Sequence, residues 1–185
     1  MRVIGLAGWS GAGKTTLLVK LIPLFNGRGM RVSTLKHAHH AFEIDRPGKD
    51  SFEHRQAGAH EVLVASSGRW ALMQELRGAP EPGLPHLLGK LSPVDLVIVE
   101  GFKAYGHPKL EIHRAANGKP FLHDRVPNVQ ALATDAPPAD APIPVVDLND
   151  VPAVADAMLA AAEPMESVLA SLGAQPAPPR LRLSQ

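Results

Sequence analysis

The 185-residue chain alternates short apolar runs with amphipathic stretches along most of its length. The first run, from Val3 to Ala7, is followed by glycines and is typical of a strand buried on both faces of a parallel sheet. From Lys14 to Phe25 the apolar side chains recur at helical spacing, and the Ala-rich stretch from Val151 to Ala162 predicts a closing helix. Other runs predict strands at residues 31–35, 94–99, 110–113, 129–134 and 145–146. This alternation indicates an α/β fold, with a mostly parallel, twisted sheet covered by helices on both faces.

Two segments depart from this alternation. Residues 61–66 and 69–76 flank Ser67 and Gly68, a spacing that predicts a hairpin or two adjacent strands. We therefore expect a β-rich insertion around residues 61–76. From Glu163 onward the composition becomes rich in alanine and proline. We expect one domain over residues 1–162, and a weakly structured tail over 163–185 after one amphipathic turn.

Composition excludes several classes of function. The chain has no cysteine, which excludes disulfides, thiolate metal sites and cysteine nucleophiles. With 19 basic and 18 acidic residues the net charge is +1, so bulk charge gives no case for binding nucleic acid or a membrane surface. No apolar run is long enough for a signal peptide or a spanning helix. We expect a cytoplasmic protein that binds neither nucleic acid nor membrane.

The segment between the first strand and the first helix matches the pattern Gly-x4-Gly-Lys-Thr. It consists of Gly8, Trp9, Ser10, Gly11, Ala12, Gly13, Lys14 and Thr15. Glycines let the backbone turn so that several N–H groups point at one phosphate, and the following helix presents its positive end to the same anion. Lys14 can reach the β and γ phosphates of a nucleoside triphosphate, and the Thr15 hydroxyl can bind Mg²⁺. With a strand before it and a helix after it, the segment predicts a P-loop NTPase fold.

A Mg²⁺ site in such a fold needs a carboxylate at the carboxyl end of a neighbouring strand. Asp95 lies at the start of the 94–99 run and Glu100 at its end. Because parallel strands place the ligand crevice at their carboxyl ends, Glu100 is the candidate. Asp95 is then a strand-start cap or a solvent contact.

Histidines follow the second predicted strand, at the edge of the sheet where the phosphate loop lies. In an extended chain His37 and His39 share one face and His40 opposes them. Three interpretations stay open: polar loop residues, contacts with triphosphate, substrate or catalytic water, or ligands of a transition metal. A long polar loop follows, and we regard residues 37–57, which include Asp45, as a candidate switch segment that orders on nucleotide binding.

Four segments taken together resemble the MobB family of molybdopterin-guanine dinucleotide biosynthesis adaptor proteins. They run from Gly8 to Thr16, from Lys36 to His40, from Asp45 to Ser51 and from Val99 to Lys103. The phosphate loop alone is unspecific, whereas all four in this order are specific. The resemblance covers about residues 2–160 and leaves the tail outside.

The resemblance implies a dimeric GTP-binding protein with weak GTPase activity, which works with the MobA guanylyltransferase and molybdoenzyme maturation proteins. It implies that the residues from Gly8 through Thr16 bind the phosphates and that Glu100 lies near Mg²⁺. It also implies that residues 36–51, with His37, His39 and Asp45, line the site.

Base recognition rests on one acidic candidate. Guanine offers N1–H and an amino group, a donor pair that suits one carboxylate. Asp135 follows the strand predicted at residues 129–134 and is our hypothesis for the guanine reader. The lysine that usually precedes such an Asp by two positions is Ala133 here, and a turn acid is an equal alternative.

Two other functions compete with the adaptor. A small-molecule kinase would use Asp45 or Asp50 as base and Arg46 or Arg55 as a phosphate clamp. A metal-delivery GTPase would use the histidines that follow Lys36. For the adaptor, we find no water-orienting glutamine or arginine finger in the sequence, and we expect slow turnover.

Overall fold

The computed structural model describes residues 1–38 and 42–174. The strands are β1 Arg2–Ala7, β2 Val32–Lys36, β3 Glu61–Ala65, β4 Trp70–Gln74, β5 Leu96–Glu100, β6 Lys109–His113, β7 Val129–Thr134, β8 Val145–Asp147 and β9 Glu163–Pro164. The helices are α1 Lys14–Gly27, α2 Asp50–Gln56, α3 Leu84–Leu88, α4 Val151–Ala161 and α5 Met165–Gly173. Within the described residues no helix combines the length and apolarity needed to cross a membrane. The chain forms two compact units, Met1–His37 with Gly83 onward, and Ala38–Pro82.

The larger unit is built on one sheet with the strand order β2-β5-β1-β6-β7-β8. Neighbouring strands along this order are all parallel, and β8 forms an edge as predicted. The short β9 pairs antiparallel with Arg2 and Val3 of β1, while β6 pairs with β1 from Gly5 onward. Thus β9 occupies the place beside β1 that β6 leaves open. The predicted mostly parallel sheet is confirmed.

Alternating side chains of the central strands enter two different cores. Ile4 and Leu6 of β1 pack with α1 and α4 on one face of the sheet. Val3 of β1 and Val97 of β5 pack with α3 and α5 on the other face. Both faces of the central strands are therefore covered, which explains why these strands are continuous apolar runs rather than alternating ones.

The C-terminal boundary predicted at residue 162 is wrong. Residues 163–173, assigned to a weakly structured tail, form β9 and α5. Met165, Val168 and Leu172 of α5 are buried in the core with α3. Their helical spacing was a signal that the Ala/Pro composition obscured. The rest of the predicted tail, from residue 175, lies outside the described residues.

The smaller unit contains the predicted β-rich insertion. Strands β3 and β4 form a separate antiparallel pair in which Leu63 faces Leu72 and Ala65 faces Trp70. Helix α2 lies against β3. Arg55 of this helix binds the side chains of Glu43, Asp45 and Glu75 and so joins three parts of the unit.

Candidate functional site

The phosphate loop follows β1 and leads directly into α1, at the carboxyl edge of the sheet. Gly8 lies so close to β6 that a Cβ atom there would be 2.7 Å from the backbone oxygen of Ile112. Gly11 and Gly13 have φ angles of +80° and +89°, which side chains rarely adopt. The three glycines are therefore required by the backbone path of the loop, as the motif predicted.

The first turn of α1 provides an anion-binding end. Gly13 is its cap and makes no side-chain capping bond, and the first turn contains no acidic residue. The first N–H groups of a helix have no partner within the helix and carry the positive end of its dipole. Thr15 and Thr16 lie in this turn and are exposed. This end of α1 is suited to a phosphate group.

The Lys14 side chain lies over the loop. Its ammonium donates hydrogen bonds to the backbone oxygens of Gly8 (3.1 Å) and Trp9 (2.8 Å). Burial lowers the pKa of Lys14, the Glu100 carboxylate opposes this shift, and the charge of Lys36 adds to it. Lys14 thus lies within a group of charges at the phosphate loop. One of them, Glu100, is 86 positions away in the sequence.

Trp9 anchors the loop through its side chain. The indole is buried, packs with Leu122 and Val126, and donates a hydrogen bond from Nε1 to the Pro120 oxygen at 2.7 Å. Its contribution to a phosphate site therefore comes from the backbone. The sequence alone does not indicate this role, because Trp9 occupies a position of the motif that accepts any residue.

A buried carboxylate fixes the segment against which Trp9 packs. Glu111 of β6 accepts hydrogen bonds from the backbone N–H groups of Leu122 (2.6 Å) and His123 (2.9 Å). The His123 ring nitrogen Nδ1 lies 2.9 Å from the same carboxylate. The sequence alone does not indicate that Glu111 and His123 are partners, since an acid inside an apolar strand gives no sign of what it contacts.

Glu100 ends β5 in the place that the sequence analysis predicted. Its carboxylate is largely buried and lies 3.7 Å from the Lys36 ammonium, which ends the neighbouring strand β2. Lys103 follows two residues after the glycine turn, and burial together with the charge of Lys14 lowers its pKa. Asp95, at the other end of β5, accepts the Arg31 backbone N–H at 2.7 Å and is a strand-start contact. Three lysines and one carboxylate therefore gather at the loop, an arrangement that favours an anion.

His37 lies at the same edge and contacts the strand ends. Its backbone N–H donates to the Glu100 oxygen at 2.8 Å, and its ring packs on Phe102 with centroids 4.6 Å apart. Gly101 has a φ of +98°, and a Cβ atom on it would be 2.6 Å from the His37 Cβ. His39 and His40 lie outside the described residues. Within the described part of the chain no group of three His, Asp or Glu side chains is placed to hold a metal ion.

The opposite side of the loop is formed by the turn after β6. The Asn117 amide donates to the Ser10 oxygen at 3.0 Å, which joins this turn to the phosphate loop. A Cβ atom on Gly13 would be 3.9 Å from Nε of Arg114. Arg114 and Asn117 were not among the residues predicted from the sequence. Their only signal was their place after a strand, which required knowing that β6 is the neighbour of β1.

Asp135 directly follows β7 and holds this turn. Its two oxygens accept the Ala115 backbone N–H at 2.8 Å and Nη1 of Arg114 at 3.2 Å. The Ala115 hydrogen bond, with the charge of Arg114, lowers the pKa of Asp135. Both oxygens of the proposed guanine reader thus have partners in the protein, which favours the alternative of a turn acid.

Asp45 lies in the Ala38–Pro82 unit, where it forms a two-point ion pair with Arg55. Nε and Nη2 of Arg55 lie 3.1 and 2.6 Å from the two carboxylate oxygens. The hydrogen bonds of Arg55 lower the pKa of Asp45. The kinase hypothesis offered Asp45 or Asp50 as base and Arg46 or Arg55 as phosphate clamp. Asp45 and Arg55 are bound to each other, which leaves Asp50 and Arg46 for those two tasks.

Related proteins are consistent with this geometry. The profile of the family MobB, Molybdopterin guanine dinucleotide synthesis protein B, matches residues 3–135. Over 159 residues the chain is 43% identical to the molybdopterin-guanine dinucleotide biosynthesis adapter protein of Escherichia coli (strain K12), covering 83% of this chain and 89% of the relative. It is 41% identical over 157 residues to the Haemophilus influenzae adapter protein, covering 83% and 85%.

Solved structures share the fold. The crystal structure of a MobB homologue from Bacillus stearothermophilus aligns with a TM-score of 0.62 at 25% identity, covering 85% of this chain and 98% of that one. Bacillus subtilis MobB aligns with a TM-score of 0.67 at 22% identity, covering 86% and 97%. The family match covers more than half of the chain, and the four sequence segments that carried the resemblance all lie within it. The chain belongs to the MobB family of molybdopterin-guanine dinucleotide biosynthesis adapter proteins.

Proposed function

We propose that this chain binds GTP with Mg²⁺ at the phosphate loop and hydrolyses it slowly, as a cytoplasmic adaptor for a MobA-type guanylyltransferase. The observation that carries the proposal is the loop itself, with the uncapped end of α1 and the half-buried Lys14, whose charge interacts with that of Glu100. The relatives are adapter proteins of molybdopterin-guanine dinucleotide biosynthesis, and this guanine product favours GTP over ATP.

Each side chain has a task in this proposal. The loop N–H groups and the end of α1 bind the phosphates, and Lys14 exchanges its two backbone oxygens for phosphate oxygens. Glu100 and the Thr15 hydroxyl provide oxygen ligands, which suit Mg²⁺. When bound, Mg²⁺ would neutralise charge on the phosphates. Lys36 and Lys103 add positive charge on the side of β2 and β5.

The proposal is tested by calorimetric titration with GTP, GDP and ATP, each with Mg²⁺ and with EDTA. We expect GTP to bind more tightly than ATP, and Lys14→Ala to abolish binding. Lys20→Ala is the matched control, because Lys20 is an exposed lysine of the same helix. Glu100→Gln should reduce the difference between Mg²⁺ and EDTA. Failure of the wild-type protein to bind any of the three nucleotides would refute the proposal.

Turnover and partner dependence form a second test. The sequence motifs contain no residue that would orient the attacking water, and Lys14 does not serve that purpose. We therefore expect GTP hydrolysis well below ~1 per second. Mixing the chain with a MobA-type guanylyltransferase should increase formation of the guanine dinucleotide, and the Lys14→Ala variant should not. Rapid GTP turnover by the isolated chain would contradict the adaptor role.

The proposal includes a homodimer that forms through the hairpin of β3 and β4. Leu63 and Trp70 are 62% and 68% exposed, and Leu72 is exposed on the same face. An exposed apolar sheet face of this kind is a natural pairing surface. Light scattering at micromolar concentration should give a dimer, and Leu63→Asp should give a monomer. Val19→Asp, which replaces an exposed valine of α1, is the control and should leave the mass unchanged.

A further inference from the structure

We infer that Arg114 is a phosphate-binding residue of the nucleotide site and that Asp135 is the residue that positions it. The inference rests on the proposed nucleotide binding and deepens it, because it assigns residues on the β6 side of the loop. Neither residue belongs to the phosphate-loop motif, and 100 positions separate Arg114 from Lys14 in the numbering.

The sheet order places Arg114 beside the loop. Strands β5 and β6 flank β1 on its two sides, so the residues that follow them lie on opposite sides of the phosphate loop. Lys36 and Glu100 occupy the β5 side. On the β6 side the loop touches the strand backbone, since a Cβ on Gly8 would be 2.7 Å from the Ile112 oxygen. Two residues later the chain reaches Arg114, whose Nε is 3.9 Å from the Cβ position of Gly13.

The Arg114 turn is held in place from both ends. Asn117 binds the loop through its hydrogen bond to Ser10, and the Ala115 N–H binds Asp135. Asp135 also accepts a hydrogen bond from one guanidinium nitrogen of Arg114 at 3.2 Å. A guanidinium has five N–H donors in a fixed fork that matches phosphate oxygens. The Arg114 side chain is 39% exposed, so it can bind an anion at the loop while it keeps its contact with Asp135.

This arrangement gives Asp135 a role different from base recognition. A carboxylate that reads guanine would bind the base directly and would discriminate GTP from ATP. A carboxylate that orients Arg114 acts on the phosphates, which GTP and ATP share. The two roles therefore predict different nucleotide preferences for the same variant.

The test measures the dissociation constants of GTP, GDP and ATP for four variants. They are Arg114→Ala, Arg114→Lys, Asp135→Asn, and the double variant that combines Arg114→Ala with Asp135→Asn. Loss of one charge-assisted, forked contact weakens binding by about tenfold to a hundredfold. We expect this loss in Arg114→Ala, for all three nucleotides. Arg114→Lys should recover part of the affinity, since it keeps the charge and loses the fork. Asp135→Asn should weaken the binding of GTP and of ATP by the same factor. In the Arg114→Ala background it should weaken binding by less than a further twofold.

Arg28→Ala is the matched control. Arg28 forms an ion pair with Asp156 at 2.6 Å, at the end of α1 opposite to the loop, so its loss should change each constant by less than twofold. Thermal unfolding of each variant establishes that the fold persists.

The outcomes separate the two levels of the proposal. If the wild type binds nucleotide, Lys14→Ala does not, and Arg114→Ala remains within twofold of wild type, the inference is wrong and nucleotide binding stands. If Asp135→Asn abolishes the preference for GTP over ATP, Asp135 reads the base and does not act through Arg114. If the wild type binds no nucleotide, both fail together.

Discussion

A single methyl group added at Gly5 should destabilise the protein, because the strand lies against a buried imidazole. A Cβ on Gly5 would be 2.5 Å from Nε2 and 2.8 Å from Cδ2 of His107, and 3.0 Å from Cγ of Lys109. The closest of these distances is about 0.9 Å shorter than ordinary contact at 3.4 Å. His107 is 1% exposed, so its ring has no open solvent to move into.

The backbone segments around His107 are fixed by hydrogen bonds, so moving them away would cost stability. The Gly5 N–H donates to the Pro108 oxygen at 2.7 Å, which fixes β1 against this segment. The Lys109 ammonium donates to the backbone oxygens of His107 and Pro127, both at 2.8 Å, and to that of Tyr105. These bonds hold the backbone that carries the ring.

The magnitude follows from two opposing effects. Overpacking a buried site costs about 1–3 kcal/mol. Replacing glycine where φ is unstrained, as at Gly5, returns about 0.4–1 kcal/mol by restricting the unfolded chain. We expect Gly5→Ala to lower the free energy of unfolding by about 1–2 kcal/mol. In a His107→Ala background only the 3.0 Å contact with Lys109 Cγ remains, so the same change should be close to neutral, a coupling of about 1–2 kcal/mol.

Urea unfolding followed by circular dichroism measures all four corners of this cycle. Gly27→Ala is the control, because a Cβ at this helical glycine meets no atom within 4 Å. That variant should be stabilised by about 0.5–1 kcal/mol. Equal effects of Gly5→Ala with and without the imidazole would show that the contact with His107 is not the cause.

Three further predictions concern His107 and two other places in the larger unit. Burial, with the charge of Lys109, holds the pKa of His107 well below 6.5, so the folded state excludes a proton that the unfolded chain takes up below that pH. The contribution of this group to the free energy of unfolding is therefore complete above pH 6.5 and falls below that pH by about 1.4 kcal/mol per pH unit. Between pH 7 and 5, urea unfolding of His107→Leu should show a loss of stability that is about 2 kcal/mol smaller than the loss of the wild type. Equal dependence of the two stabilities on pH would contradict this. Leu172→Ala in α5 should cost about 2–4 kcal/mol because this side chain is buried, whereas Glu166→Ala on the exposed face should be near neutral; equal melting temperatures would mean that α5 does not belong to the core. Gly101→Ala should cost about 1–3 kcal/mol, through its positive φ and the close contact with His37, and should also weaken nucleotide binding by moving Glu100; a variant with unchanged stability would refute the strain argument.

Local patterns in the sequence were sufficient for the parts of the molecule that depend on neighbouring residues. The phosphate loop needs glycines at fixed offsets between a strand and a helix, and these were visible without any knowledge of the fold. The apolar runs predicted the strands, since strands covered on both faces must be apolar throughout. Glu100 was identified because it ends such a run, at the edge where the loop lies.

Contacts between distant segments required the tertiary structure. Arg114 and Asn117 belong to a polar turn, and nothing in their sequence says that β6 lies next to β1. Asp135 is a candidate base reader from the sequence, and only the fold shows that it contacts Arg114 and the Ala115 N–H. The sequence also could not show that α5 covers the second face of the sheet, or that His107 packs on Gly5.

The sequence by itself determined the phosphate loop, the strand and helix pattern, and the acid at the end of β5, because each depends on residues only a few positions apart. The tertiary structure alone decided which charged residues surround the loop and where the core ends. The physical reason is that a charged side chain on a turn has no periodicity, and its partner is set by the order in which strands assemble into the sheet.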